Sequence, residues 1–161
     1  MSAPLRFAFA FAFAGLIALG FARIDAHAGE RERTVAPDPN DLVNTGGWAL
    51  VSATGAGSEG VRIAGADFVL AFEHHAVNVT GPCNRMRGDY SVSGKRMTVT
   101  VATTTRMACE DARNAADQRF VTLFSGKFHA EVVVIGDGPE RLRLVADDGR
   151  ALEFEAKPMQ F

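Results

Sequence analysis

A chain of 161 residues, 47% hydrophobic and 22% charged, has the material for one globular domain. Its net charge of −2 comes from both signs interspersed. That leaves no basic stripe for nucleic acid and no polybasic patch for a membrane surface.

The start of the chain reads as an export signal. Arg6 gives a short basic start, Phe7 to Ala22 is uncharged and apolar, and Ala26-His27-Ala28 is an A-x-A cleavage site. As a helix the apolar run spans about 24 Å, short of a hydrocarbon core of about 30 Å. Residues 1–28 are therefore expected to be a signal peptide cleaved before Gly29, with a retained transmembrane anchor as the alternative. No cysteine follows the run to accept a lipid, so the expected location is periplasmic or secreted.

Residues 29–47 are polar, carry Pro37, Pro39 and Gly46-Gly47, and read as a leader or linker ahead of a domain at 48–161. Trp48 to Ser52 suits a first strand and Ala53 to Gly60 a small-residue loop. Phe68, Leu70 and Phe72 alternate with smaller or polar residues, the period of a strand with one apolar face. His74-His75 is placed at a turn, after which Val77 and Val79 continue the alternation. Gly88 to Val92 and Lys95 to Val101 flank Ser93-Gly94, a hairpin signal, with Met97, Val99 and Val101 facing in.

The period then changes. Ala112, Ala115, Ala116, Phe120, Leu123 and Phe124 recur at helical spacing, with Arg113, Asp117, Gln118 and Thr122 assigned to the wet face. Asp111 is the expected N-terminal cap and Gly126 the expected stop. A strand near Phe128 to Ile135 follows, then a hairpin around Asp147-Asp148-Gly149 that buries Leu142, Leu144, Leu152 and Phe154. The expected fold class is α+β: mostly antiparallel β, about seven or eight short strands in a barrel-like or strongly curved sheet, with one amphipathic helix.

Cys83 and Cys109 are the only two cysteines, in a chain expected to reach an oxidising compartment. A structural disulfide is the expected outcome, contributing roughly 3.5 kcal/mol by closing the loop between them. Two buried free thiols are the alternative. No C-x-x-C or H-x-x-x-H occurs, His74 and His75 diverge on an extended chain, and His129 is remote, so no metal or cofactor site is expected. Gly55-x-Gly57-x-x-Gly60 spells the dinucleotide pattern, but a strand follows it where a helix would have to receive the pyrophosphate. Arg87-Gly88-Asp89 and Asn78-Val79-Thr80 spell an adhesion tripeptide and a glycosylation sequon by letters alone. No histidine sits in a nucleophile or metalloprotease motif, and the carboxylates of the turns favour local backbone bonding. No catalytic residue is therefore assigned.

The stretches T-G-P-C-N-R-M-R-G-D-Y, from Thr80, and T-T-T-R-M-A-C-E, ending at Glu110, carry a resemblance. With Trp48 and Leu50 upstream and Phe120 and Leu123 downstream, they resemble the signature of the META domain family, over roughly Leu42 to Phe161. The matching positions are Trp48, Thr80, Gly81, Cys83, Asn84, Arg85, Gly88, Tyr90, Thr105, Met107, Ala108 and Cys109. In the residues' own terms, Asn84 suits a turn bonding its own backbone, and Gly88 a bulge or a positive φ. Arg85 suits a carboxylate partner, and Thr105 the backbone groups at a strand end. The family is known for envelope stress and not for a reaction, so the resemblance implies a non-enzymatic envelope protein, monomeric, with an envelope protein or small ligand as partner. Two other functions make distinct structural demands. A small-ligand carrier needs an apolar cavity lined by Phe68, Phe72 and Tyr90, and an inhibitor of a secreted hydrolase needs an exposed loop at Pro82 to Arg87.

Overall fold

The computed structural model describes residues 32–55, 63–64, 68–136 and 138–158. The expected signal peptide and all but the first residue of the glycine motif lie outside them. In chain order the elements are β1 (Arg33–Val35), α1 (Pro39–Val43), β2 (Trp48–Thr54), β3 (Ile63–Ala64), β4 (Val69–Phe72) and β5 (Ala76–Thr80). Then come β6 (Arg85–Ser93), β7 (Arg96–Thr104), α2 (Asp111–Phe124), β8 (Gly126–Ile135), β9 (Gly138–Ala146) and β10 (Ala151–Ala156).

Eight of these strands close on themselves. Neighbours run β2, β4, β5, β6, β7, β8, β9, β10 and back to β2, every pairing antiparallel. The barrel is an up-and-down meander in which β7 reaches β8 through α2. β3 attaches to the side of β2, and β1 to the far half of β8, where Val35 faces Val132. Eight strands enclose a space that side chains just fill. The period-two alternation supplies them: Trp48, Leu70, Val77, Met97, Val132, Leu142, Leu144, Leu152 and Phe154 are all 1% exposed or less.

Phe68, Phe72 and Tyr90 are buried in this packing. Phe68 stacks on Phe120 with ring centroids 4.2 Å apart, and Phe72 meets Tyr90 edge-on at 4.8 Å. Side chains occupy the space that a carrier would keep open.

The strands and main helix lie close to their expected places, though β6, β7 and β9 each reach three residues beyond the expected bounds, from Arg85, to Thr104 and from Gly138, and other differences are larger or change a role. Residues 33–47 are not a linker. Asp38 Oδ1 accepts from Asn40 N–H at 2.7 Å, Pro39 opens α1, and Leu42 is buried at 1% exposure. The Leu42 carbonyl accepts from Trp48 Nε1 at 3.0 Å, tying this segment to the core, so the domain starts by Arg33 and not at Trp48. β2 continues through Ala53 and Thr54, which the sequence places in a loop. The β6–β7 turn falls on Gly94-Lys95, one residue later than expected, with Gly94 at φ +56°.

Candidate functional site

The site is built at the barrel end where β5 and β7 finish and β6 and β8 begin. Helix α2 lies across that end. Phe120 stacks on Phe68, and Phe124 sits 5.2 Å from Phe120 and 6.0 Å, edge-on, from Phe154. The helix is capped otherwise than its sequence suggests. Glu110, not Asp111, takes the N-cap position, without a side-chain bond, and Asp111 is the first helical residue. At the other end Arg150 donates from Nη1 to the carbonyls of Thr122, Leu123 and Ser125 at 2.9, 3.0 and 2.8 Å. A cation there satisfies the free carbonyls of the last turn and complements the helix dipole. Asp148 holds the guanidinium at 2.7 Å, and the Arg150 backbone N–H keeps the Asp148 carboxyl below its ordinary range.

Asp117 is the unexpected residue. Assigned to the wet face, it is 3% exposed. It lies three and seven positions before Phe120 and Phe124, on the stripe that faces the core. Its Oδ2 accepts from the backbone N–H of Asn84 at 2.7 Å and from Asn84 Nδ2 at 2.9 Å. Asn84 Oδ1 in turn accepts from Met107 N–H at 2.9 Å and from the Thr105 hydroxyl at 3.2 Å. The Thr105 hydroxyl also accepts from Arg85 N–H at 3.0 Å, and Asn114 Nδ2 donates to the Cys109 carbonyl at 3.1 Å. Cys83 and Cys109 are joined in a disulfide across 6.0 Å between Cα atoms. These contacts clasp the start of β6, the segment 105–109 and α2 into one unit.

The clasp accounts for most of the signature and revises several expected roles. Asn84 bonds across to the 105–107 segment and to α2 rather than to its own turn. Arg85 projects to solvent without a carboxylate partner among the described residues; its backbone N–H is the group the clasp uses. Met107 contributes its N–H while its side chain is 59% exposed, and Ala108 is exposed. At Gly81 an added Cβ would collide with Asp117 Oδ1 and press on Phe68 and Met86 at 3.0 and 3.1 Å. At Gly88 it would strike the Thr100 carbonyl; a register shift between Arg87 and Gly88 marks the expected bulge, without a positive φ. Trp48 and Tyr90 are core residues. Burial beside Phe72 raises the Tyr90 phenol pKa above its ordinary value.

The stretch Pro82 to Arg87 is not an exposed loop. Cys83 and Asn84 are buried and Arg85 to Arg87 belong to β6, so the surface an inhibitor would present is absent there. Asn78 of the sequon accepts from Arg87 Nη1 and donates to Glu73, both at 2.8 Å, on the outside of the barrel. Among the described residues no group of three or more His, Cys, Asp or Glu is placed to hold a metal ion.

Beside the clasp lies an open groove of about 610 Å³. Thr104 to Met107 form one wall; Asn114, Gln118, Val121 and Thr122, on one face of α2, form the other. A second groove of about 410 Å³ adjoins it on the outer face of β5, β6 and β7, with Arg85, Arg87 and Thr103 in its lining.

A closed eight-stranded meander, plugged at one end by a helix that a disulfide and a buried polar clasp hold down, defines the class. The META domain matches residues 41–159, and the chain belongs to that family. An NMR structure of a protein from Burkholderia xenovorans has a similar fold, at a TM-score of 0.53 and 22% identity. The similarity covers 76% of this chain and 92% of that one, and it concerns fold alone. No curated protein matches the chain.

Proposed function

We propose that the protein is an exported, non-enzymatic META domain that acts at the cell envelope by binding, in the service of stress tolerance. The observation that carries this reading is the clasp. Its polar groups (Asn84, Thr105, Asn114, Asp117) bond to one another and to backbone, leaving Asp117 Oδ1, packed against Gly81, as the buried side-chain oxygen without a hydrogen-bond partner among the described residues, and the disulfide locks them. Such an arrangement holds a surface in shape, which supports a binding role. A disulfide persists in an oxidising compartment, which agrees with the signal-like start of the chain.

The partner is an envelope protein, with a small ligand as the lesser alternative, and the domain works as a monomer without nucleic acid. No described helix is long and apolar enough to cross a membrane. The barrel's outer surface is also wrong for lipid, because Arg85, Arg87, Asp89, Arg141, Arg143 and Glu155 point outward from its strands. Capture from envelope extract with the mature protein as bait tests the reading. Enrichment of a specific envelope component supports it. Recovery of the protein in the cytoplasm with reduced cysteines would remove it.

A further inference from the structure

The two strands on either side of α2 do not pair along their whole length. β7 meets β8 only from Arg96 to Val99, whereas β6 accompanies β7 to Thr104. From Thr100 onward β7 therefore has β6 on one side and no strand on the other among the described residues. Helix α2 returns alongside this open edge, because it starts just beyond β7 and delivers the chain to Gly126, the partner of Val99. The 610 Å³ groove is the space between strand end and helix. A sheet edge beside a helix receives an extended peptide as an added strand, with main-chain hydrogen bonds supplying affinity.

Charge says what kind of peptide. Four charged residues line the two adjoining grooves: Arg85, Arg87, Arg106 and Asp117. Asp117 is buried, its Oδ2 bonded to Asn84 and its unpartnered Oδ1 packed against Gly81, and Arg87 is paired with Glu73 at 3.3 Å. Arg85 and Arg106 stand exposed on either side of the β7 end without a carboxylate partner among the described residues. On a chain of net charge −2 this is a local cationic rim. Met107, 59% exposed, and Val121 add apolar surface between the charges.

We infer that the groove between the β7 end and α2 is a docking site for an extended acidic peptide segment of a partner protein, added to β7 as a strand. This rests on the binding reading above and names its surface and its partner's chemistry. Because the ladder is main-chain, a generic β-forming probe suffices: acetyl-(Val-Glu)4-amide, against acetyl-(Val-Lys)4-amide and inorganic phosphate. With isotope-labelled protein, the glutamate peptide is expected to shift amide resonances from Val101 to Met107 and from Gln118 to Thr122. It should also slow amide exchange at the open β7 edge. Gln118→Trp, which fills the groove from an exposed helix position, and Arg106→Gln, which removes rim charge, should each weaken binding at least about fivefold. Resonances outside the groove report that both variants remain folded.

Equal binding of the lysine peptide, shifts centred elsewhere, or no binding at about 1 mM peptide would overturn the inference. So would phosphate reproducing the shifts while the peptide confers no exchange protection. Groove variants that still capture the envelope partner would sink this site and leave the broader binding reading standing.

Discussion

Asp117 joins α2 to the start of β6 through a single oxygen that accepts two N–H groups of Asn84. Asp117→Ala strands the buried Asn84 backbone N–H and leaves Nδ2 only Asn114 Oδ1, at 3.3 Å, and should cost about 2–4 kcal/mol in urea melts. Asp117→Asn, which keeps an acceptor, should cost clearly less; equal losses would show that packing, not the hydrogen bonds, is what Asp117 supplies. Gly81→Ala should cost about 1–3 kcal/mol through overpacking, since its Cβ falls on Asp117 Oδ1. Asp117 was legible in principle: counting back three and seven positions from Phe120 and Phe124 puts it on the dry stripe. Its polarity argues for the opposite face, and only its partner, 33 residues away, explains the exception. Tyr90, the single tyrosine, offers a pH test. Burial raises its folded pKa above the ordinary 10.0. The neutral form is therefore the one that folding favours. The associated stability is fully present below pH 10.0 and is lost as pH rises through the higher folded value. Phenolate absorbance should titrate later in the native protein than in urea, and Phe72→Ala should move the native midpoint back down.

At the scale of elements, α2 is held by aromatic packing on its inner face and by Arg150 at its end. Phe120, fully buried against Phe68, should cost about 3–5 kcal/mol when replaced by Ala, whereas exposed Gln118→Ala should cost little. Arg150→Ala uncovers three carbonyls and should cost about 1–2 kcal/mol. Small and equal effects at Phe120 and Gln118 in urea melts would mean the helix is not docked. These elements were readable from the residues because period two and period 3.6 differ plainly once a segment has one dry face. The segment 33–47 was not readable, because its buried side chains, Pro37 and Leu42 with Val35 and Val43 half-buried beside them, follow no clear period and β1 is short with mostly exposed side chains. Arg150 was hidden too. A lone arginine after Asp147-Asp148-Gly149 reads as a turn residue until the far end of α2 arrives beside it.

The whole molecule closes because β10 returns to β2, and the disulfide fixes the end that β7 and α2 leave partly open. Curvature and a count near eight strands followed from the alternation, but closure did not, because strand order is a long-range property. The proposed export, with the oxidised cysteine pair, underlies the proposed compartment and partner alike. Intact mass of protein recovered outside the cytoplasm, after denaturation with an alkylating reagent and no reductant, tests it in one spectrum. The expected species starts at Gly29, carries no alkyl group and is lighter by the two hydrogens of the disulfide. A full-length chain, or one alkylated at both Cys83 and Cys109, would contradict the account.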